Sequence, residues 1–356
     1  MKFIHTSDIH LASKLTTRLP SSKVAPRRRE LTQGFVRMCS DAMNTGVSAI
    51  LIAGDLFDSE KISHREIDQL LAIIERAENI TFLYLPGNHE RDVIAASGEE
   101  LPKNLLIFGE NWTYFRVGEV TFVGRSETAA NMFSELQLPE YGKNVVVLHG
   151  ELRDKSAQGG VIGLTEAANK NIDYMALGHY HTYSEAQIDK RGVAVYSGTP
   201  EGRGFDEIGD MGYSLVSIDE GGVRHRFVPF AKRRLFIVNV DISGALKTSD
   251  VERLIDEKTR SFGEENLIRV NFVGERELEL RCDKTFLTER FSQRFYYFEI
   301  KDSSKLVTRA EDYQFDKSLK GEFIRLCLAN NTLTDEEKEK IIHCGLSALA
   351  GEAFDE

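Results

Sequence analysis

Residues 49–58 read AILIAGDLFD, five apolar residues followed by glycine and aspartate. A short apolar run that ends in a turn residue is typical of a buried strand in a parallel sheet. Glycine at position 54 lets the backbone turn sharply, so Asp55 is expected to project from the carboxyl end of the strand. Ligands of open α/β sheets bind at that end. Asp55 is therefore a candidate metal ligand, although a turn aspartate explains this residue equally well in isolation.

Four further β-rich runs are also followed by residues that can bind a metal ion: aspartate, asparagine or histidine. The segments that follow them are Asp8-Ile9-His10, Gly87-Asn88-His89-Glu90, His149-Gly150 and Gly178-His179-Tyr180-His181. In an extended chain, a spacing of two puts Asp8 and His10 on one side, and does the same for His179 and His181. The same alternation predicts that Tyr180 points back toward the core.

These segments share a chemistry that suits divalent metal ions. Each of them has an ordinary explanation when taken alone: a capping aspartate, a turn, or a hydrogen-bonded histidine. However, five of the nine histidines fall directly after predicted strands, interleaved with carboxylates and an asparagine. Such a coincidence favours a metal cluster, because imidazole and oxygen ligands together bind first-row divalent ions. The predicted ligands are Asp8, His10, Asp55, Asn88, His149, His179 and His181.

His89 is predicted to have a different role. It stands beside Asn88 and would face the site without binding a metal, as a general acid or as a stabiliser of the transition state. It is therefore the candidate catalytic residue.

The chain is predicted to contain more than one domain. Short β-rich runs alternate with helical patterns up to about residue 230, which indicates an α/β domain. We place a boundary near Ala231–Arg234, where the ligand-type residues stop and a new strand begins. The predicted divisions are residues 1–232, a small β-α-β domain at 233–310, and a helical tail at 311–356. In the tail, Leu319, Phe323, Leu326 and Cys327 predict one apolar helix face that packs on this chain or on a partner.

Charge and hydropathy exclude some classes of protein. A net charge of −11 over 356 residues argues against a protein that coats nucleic acid with a wholly basic surface, but permits a local groove. Arg27, Arg28 and Arg29 are candidate contacts for a DNA backbone, although a charge run that opens a helix is more often only solvated. No apolar run approaches the ~20 residues of a membrane span. The start of the chain lacks the pattern of a signal peptide, so a cytoplasmic protein without membrane association is expected.

The ordered set Asp-x-His, Gly-Asp, Gly-Asn-His-Glu, His-Gly and Gly-His-x-His resembles the signature of the calcineurin-like metallophosphoesterases. Three stretches are similar to the SbcD-type DNA repair exonuclease branch of that superfamily: HTSDIHL at 5–11, GDLFDS at 54–59 and YSGTPEGRGFDE at 196–207. The tail sequence SLKGEFIRLCL at 318–328 is similar to that of bacterial exonucleases in this branch. The resemblance extends over about residues 1–215 and the tail, and it is weak over about 235–310.

The resemblance implies a fold and a metal centre. The fold is a four-layer α/β/β/α sandwich, followed by a small α/β capping domain and C-terminal helices. The ligands implied for one divalent ion are Asp8, His10, Asp55 and His181. Those implied for the other are Asp55, Asn88, His149 and His179, so that Asp55 bridges the pair. Manganese is the implied metal in both positions.

The resemblance also implies an activity and partners. The activity is metal-dependent hydrolysis of DNA phosphodiester bonds by an exonuclease, with endonuclease action as an accompanying possibility, in DNA repair and recombination. The partners are DNA, a second copy of the chain in a homodimer, and an SbcC-like coiled-coil SMC-type ATPase that binds the tail at 311–356.

Two other functions stay open at the level of sequence. A phosphatase or cyclic-nucleotide phosphodiesterase of the same superfamily would use the same ligands, although the long extension after residue 232 argues against a minimal phosphatase. A non-catalytic scaffold stabilised by metals would also retain the ligands. Such a scaffold would have no use for His89.

Overall fold

The computed structural model describes residues 1–15, 19–59, 61–88, 93–129, 131–156, 159–277, 280–307, 313 and 315–350. The chain divides into two compact units, Met1–Leu235 and Phe236–Glu356. This division falls close to the boundary expected between residues 232 and 233, whereas a separate domain for residues 311–356 stays a prediction. Within the described residues, no helix is both long and apolar enough to cross a membrane.

The first unit contains fourteen strands and four α-helices among the residues that the structure describes. The strands are β1 (Lys2–Thr6), β2 (Ala49–Ala53), β3 (Thr81–Leu85), β4 (Leu105–Ile107), β5 (Thr113–Val117), β6 (Val120–Gly124), β7 (Lys143–His149), β8 (Glu151–Arg153), β9 (Val161–Gly163), β10 (Tyr174–Gly178), β11 (Ser184–Gln187), β12 (Val193–Tyr196), β13 (Gly212–Asp219) and β14 (Gly222–Pro229). The helices are α1 (Ser21–Asn44), α2 (His64–Arg76), α3 (Val93–Ala96) and α4 (Leu164–Ala167), and a 3-10 turn spans Met132–Ser134.

These strands form two six-stranded mixed sheets. The first has the order β14-β13-β1-β2-β3-β4, and the second has the order β11-β12-β10-β7-β6-β5. Within the first sheet, β1 to β4 run parallel to one another. Within the second, β6, β7, β10 and β12 are parallel. Parallel strands end at the same edge of a sheet, so the residues that follow them are brought together there.

Three apolar clusters show how the layers are stacked. The first joins α1 and α2 to the outer face of the first sheet, with Phe35 and Ile50 among its members. The second lies between the two sheets and includes Phe3 and Phe122, whose rings meet edge to face at 5.4 Å. The third covers the outer face of the second sheet and includes Met132. The predicted α/β/β/α sandwich is confirmed.

The second unit is a small α/β domain with a helical tail. Its elements are β15 (Leu235–Asp241), α5 (Thr248–Thr259), β16 (Leu267–Val273), β17 (Glu275–Glu277), α6 (Lys284–Ser292), β18 (Tyr297–Asp302), β19 (Lys305–Val307), α7 (Leu319–Ala329) and α8 (Asp335–Ala350). A three-stranded sheet of order β15-β16-β18 packs against α5 and α6 through residues such as Ile255, Leu287 and Phe298.

The tail packs differently from the predicted pattern. Ile324 and Cys327 of α7 are buried with Ile342 of α8, whereas Leu319 and Leu326 are 71% and 65% exposed. The four residues of the predicted face therefore do not share one environment, and docking of that face on a partner stays a prediction. Helix α7 instead buries one stripe against α8 and leaves a second apolar stripe exposed.

Arg27 is a structural residue rather than a surface cation. Its side chain is 1% exposed, and its guanidinium donates to the Glu30 carboxylate at 2.9 Å and to the Glu201 carboxylate at 3.2 Å. It also donates to the Gly202 carbonyl at 2.6 Å. The prediction of a DNA contact is wrong for Arg27, because all of these partners are protein atoms inside the fold. Nothing in the local sequence marks Glu201, which lies 174 residues away, as its partner.

Glu30 connects the same network to the end of the first unit. Its carboxylate accepts hydrogen bonds from Arg233 at 2.7 Å and from Lys232 at 3.1 Å. Burial alone would raise the pKa of Glu30, but the hydrogen bonds from Arg233, Arg27 and Lys232 outweigh it and lower the pKa to about 2. The carboxylate is therefore charged at neutral pH and holds α1 to residues 232–233.

Replacing Arg27 by Ala is expected to lower the free energy of unfolding substantially. Breaking a buried ion pair from one side costs about 3–5 kcal/mol, and we expect the lower end because Glu30 keeps Arg233. Urea unfolding followed by circular dichroism measures the change. Arg29→Ala is the matched control: Arg29 is exposed on the same helix, and its loss is expected to cost less than about 0.5 kcal/mol. Equal costs for the two variants would contradict a structural role for Arg27.

Candidate metal centre

The seven predicted ligands lie at one edge of the sandwich, at the carboxyl ends of five strands. Asp8 and His10 follow β1, Asp55 follows β2, Asn88 follows β3, His149 ends β7, and His179 and His181 follow β10. The backbone joins the first two strand ends: the Asp8 amide donates to the Gly54 carbonyl and the His10 amide to the Asp55 carbonyl, both at 3.0 Å. The first sheet therefore carries Asp8, His10, Asp55 and Asn88, and two strands of the second sheet carry the other three histidines.

The first group of ligand atoms surrounds the Asp8 carboxylate. Asp8 Oδ1 lies 3.7 Å from His181 Nε2 and 4.0 Å from His10 Nε2. The rings of His10 and His181 meet edge to face, with centroids 5.2 Å apart. Ligand atoms that share one ion at about 2.1 Å lie roughly 3–4 Å from one another. Asp8, His10 and His181 therefore fit a single divalent ion.

The second group surrounds the imidazole of His149. Its Nε2 lies 3.3 Å from Asp55 Oδ2 and 2.8 Å from Asn88 Oδ1. The ring of His179 lies beside it, with centroids 5.5 Å apart. Because Asp8, Asp55 and His149 also lie within one ligand sphere, this group too fits a divalent ion.

Asp55 lies between the two groups. Its Oδ2 is 3.3 Å from His149 Nε2 and 3.9 Å from His10 Nε2. Asp8 also contacts both groups. Its Oδ1 lies 3.7 Å from His181 Nε2 in the first group, and its Oδ2 accepts the backbone N–H of His179, which belongs to the second group, at 3.0 Å. The geometry thus suits an Asp55 carboxylate that is shared between two ions.

Four of these residues have an unusual backbone conformation. Asp8, His10 and Asp55 have φ angles of +51°, +48° and +51°, and His179 has +110°. Side chains other than glycine rarely adopt this region, and residues held there cost about 1–3 kcal/mol each. Such strain concentrates at functional sites, where the surrounding structure imposes it. The backbone at these strand ends therefore directs the side chains of the predicted ligands toward the same region.

Glycines explain how the strand ends come so close together. A Cβ atom on Gly54 would lie 2.1 Å from His149 Nδ1, and one on Gly178 would lie 2.8 Å from the same atom. A Cβ atom on Gly87 would lie 2.0 Å from Asp55 Oδ1. The glycines that precede Asp55, Asn88 and His179 are therefore required by the approach of a ligand from another strand.

The charges of the site act on His149. Burial lowers its pKa, but the hydrogen bond to Asp55 and the negative charges of Asp8 and Asp55 outweigh burial and raise the pKa to about 9. His149 Nδ1 lies 2.9 Å from the Ala53 carbonyl, so Nδ1 carries the proton and Nε2 faces Asp55 and Asn88. The concentrated negative charge that raises this pKa would equally attract a dication.

Three further polar residues contact the predicted ligands, and no sequence pattern predicts these contacts. Asp58 Oδ1 lies 3.1 Å from His10 Nδ1, and Glu207 Oε1 lies 2.7 Å from His181 Nδ1. Arg203 donates to both carboxylates, at 3.0 Å and 2.6 Å. Asp58 and Glu207 lie in the stretches GDLFDS and YSGTPEGRGFDE, whose resemblance to a family was visible but whose contacts were not.

One expectation about side-chain direction is wrong. Tyr180 is 42% exposed, and its ring contacts those of Tyr196 and His179 at centroid distances of 5.0 and 5.3 Å. Strand β10 ends at Gly178, and the positive φ of His179 breaks the alternation of an extended chain. Tyr180 therefore lies at the rim of the site. His89 is outside the described residues, so its catalytic role stays a prediction.

Comparisons with known proteins agree with this site. A model of the calcineurin-like phosphoesterase family matches residues 1–208. The chain is 29% identical over 245 residues to the uncharacterized metallophosphoesterase YhaO of Bacillus subtilis, with 64% of this chain and 60% of that protein covered.

Two archaeal proteins named DNA double-strand break repair protein Mre11 are also similar. The one from Methanosarcina acetivorans is 26% identical, with 69% of this chain and 41% of that protein covered. The one from Haloferax volcanii is 27% identical, with 78% and 62% covered. The chain thus spans between 41% and 62% of the length of these three relatives. Since the family model matches more than half of its residues, this chain belongs to the calcineurin-like phosphoesterase family.

Proposed function

We propose that this chain is a metal-dependent DNA nuclease of the SbcD type, an exonuclease with accompanying endonuclease action in DNA repair. The observation that carries the proposal is the convergence of carboxylates and imidazoles from five strand ends on two adjacent ligand groups. The similarity to proteins named for DNA double-strand break repair supports DNA as the substrate. The proposal includes a homodimer that works in the cytoplasm.

Two bound divalent ions, manganese in this proposal, would supply positive charge for the phosphate oxygens and lower the pKa of the attacking water. The chain's own residues would hold them. Asp8, His10 and His181 would bind one and Asn88, His149 and His179 the other, with Asp55 shared. His89 would donate a proton to the leaving sugar oxygen or stabilise the charge on the phosphate.

A substrate panel tests this function against its alternatives. With manganese, the chain is expected to release nucleotides from linear double-stranded DNA in preference to hydrolysing p-nitrophenyl phosphate or a cyclic nucleotide. His89→Ala is expected to slow DNA cleavage by about 10²–10⁴-fold, because general acid catalysis contributes that much, while bound metal stays at the wild-type level. Nucleotide release and elemental analysis of the purified variant provide the two measurements.

The matched control is His64→Ala, since His64 is an exposed histidine of α2 that pairs with Glu99 at 3.5 Å and is not among the predicted ligands. Its DNA cleavage is expected to equal that of the wild type. Preferred hydrolysis of the phosphomonoester or the cyclic nucleotide would indicate a phosphatase or phosphodiesterase instead. Bound metal without hydrolysis of any substrate would indicate a scaffold.

We also propose that Arg28 and Arg29 contact the DNA backbone. Both side chains are exposed in the first half of α1, and the Arg28 Nε donates to the Ser13 carbonyl at 3.0 Å, which orients it. Each lysine or arginine that neutralises a phosphate contributes about 0.9 to the slope of log affinity against log salt concentration.

The double variant Arg28→Ala, Arg29→Ala is expected to reduce that slope by about 1–2, as measured by fluorescence anisotropy with labelled duplex DNA. Arg65→Ala with Arg76→Ala removes the same charge from exposed positions of α2 and is expected to leave the slope unchanged. An identical decrease in both double variants would contradict a specific contact.

The tail is proposed to dock on the coiled coil of an SbcC-like ATPase. Leu319 and Leu326 of α7 lie seven residues apart, on one side of the helix, and both are exposed, as is Phe315. An exposed apolar stripe of this kind is a recognised docking surface for a partner helix. Charged or polar substitutions on it would remove apolar area without touching the buried stripe.

Leu319→Ser with Leu326→Ser is therefore expected to abolish capture of the full chain by a purified SbcC-like coiled coil. Leu246→Ser is the control, because Leu246 is an exposed leucine of the same unit outside the tail. Undiminished capture by the double variant would refute this docking surface, and unchanged melting temperatures would show that both variants are folded.

A further inference from the structure

The two ligand groups differ in what holds their histidines from behind. In the first group, His10 Nδ1 lies 3.1 Å from the Asp58 carboxylate and His181 Nδ1 lies 2.7 Å from the Glu207 carboxylate. Arg203 donates to both carboxylates and joins them into one unit, which we call the Asp58–Arg203–Glu207 cluster. Both rings are thus fixed by charged partners that do not reach the centre themselves.

These contacts determine which nitrogen of each ring faces the metal. A carboxylate can only accept, so the proton lies on Nδ1 of His10 and of His181. The guanidinium of Arg203 also lies 3.2 Å from His181 Nδ1, but both groups would then be donors, and the shorter contact to Glu207 is the hydrogen bond. The lone pair of each Nε2 is left facing Asp8, at 4.0 and 3.7 Å.

The second group has a weaker partner behind its central histidine. His149 Nδ1 lies 2.9 Å from the backbone carbonyl of Ala53, which is neutral. A carboxylate that accepts from an imidazole raises the basicity of the opposite nitrogen and fixes the ring, and losing such a partner typically costs 10–100-fold in metal affinity. A neutral carbonyl fixes the ring with less added charge.

The local negative charge is also larger around the first group than around the second. Asp8 and Asp55 lie beside both groups, and the first group has the Asp58–Arg203–Glu207 cluster in addition. Arg203 neutralises one charge of this set and holds Asp58 and Glu207 as outer partners. A dication in the first group would therefore be stabilised both by imidazoles that charged partners hold in place and by a larger negative field.

We propose that Asp58, Glu207 and Arg203 are positioning residues that make the Asp8–His10–His181 site the tighter of the two, so that it fills first. This inference rests on the metal binding in the proposed function and is independent of the substrate. The Asn88–His149 site then fills at higher metal concentration. The fraction of molecules with both sites filled is therefore set by the affinity of the weaker site.

Stepwise binding of manganese to the full chain, after removal of metals with a chelator, tests the proposal. Free manganese followed by electron paramagnetic resonance is expected to show two binding steps. Asp58→Asn and Glu207→Gln should each weaken the tighter step by about 10–100-fold and leave the weaker step unchanged. Asn88→Ala, which alters the other site, should weaken the weaker step and leave the tighter one intact.

Glu257→Gln is the matched control, because Glu257 pairs with Arg253 at 3.1 Å in the second unit, which carries none of the predicted ligands, and it should leave both steps unchanged. Glu207 is buried, so its variant could lose stability; Asp58 is partly exposed, and Asp58→Asn keeps the test decisive. An unchanged tighter step in Asp58→Asn, or a loss confined to the weaker step, overturns the inference. Two normal binding steps without DNA cleavage would refute the nuclease and leave this inference standing.

Discussion

The position of the Asp55 carboxylate between two groups of imidazoles is the constraint on which the site depends. It lies 3.9 Å from His10 and 3.3 Å from His149, which come from different sheets. Such a position is possible only where the ends of strands from two sheets approach closely. The glycines before the ligands permit that approach, and the apolar cluster between the sheets holds the two sheets at a fixed separation.

Burying so much negative charge is costly, and the structure offsets the cost in several ways. Asp8 and Asp55 are almost fully buried, and an isolated buried carboxylate is strongly unfavourable. Backbone N–H groups, imidazoles and the metals proposed above would each stabilise the charge. The left-handed backbone at both aspartates adds strain that only a rigid sandwich could impose. The buried charge and the backbone strain at this edge therefore lower the stability of the fold, and the burial of apolar side chains in the core offsets that loss.

The segment 197–207 connects this edge to the rest of the first unit. Glu201 belongs to the ion network of Arg27 and α1, whereas Arg203 and Glu207 support the ligand histidines. Glu201 and Arg203, two positions apart in the chain, thus belong to the contacts of α1 and of the predicted ligands, respectively. One short segment therefore carries both sets of contacts, which gives a physical reason for measuring stability separately from metal binding in every experiment.

Sequence alone determined the α/β character, the limits of β2 and β3, and the strand-end placement of the seven predicted ligands, because apolar runs, glycine turns and polar strand ends are local patterns. Only the tertiary structure decided the burial of Arg27, the outward position of Tyr180 and the contacts of Asp58, Glu207 and Arg203. The partners of these residues lie up to 175 positions away, and the direction of Tyr180 depends on the φ angle of His179. Short edge strands such as β4 and β11 also escaped prediction, since three or four residues carry too little periodicity.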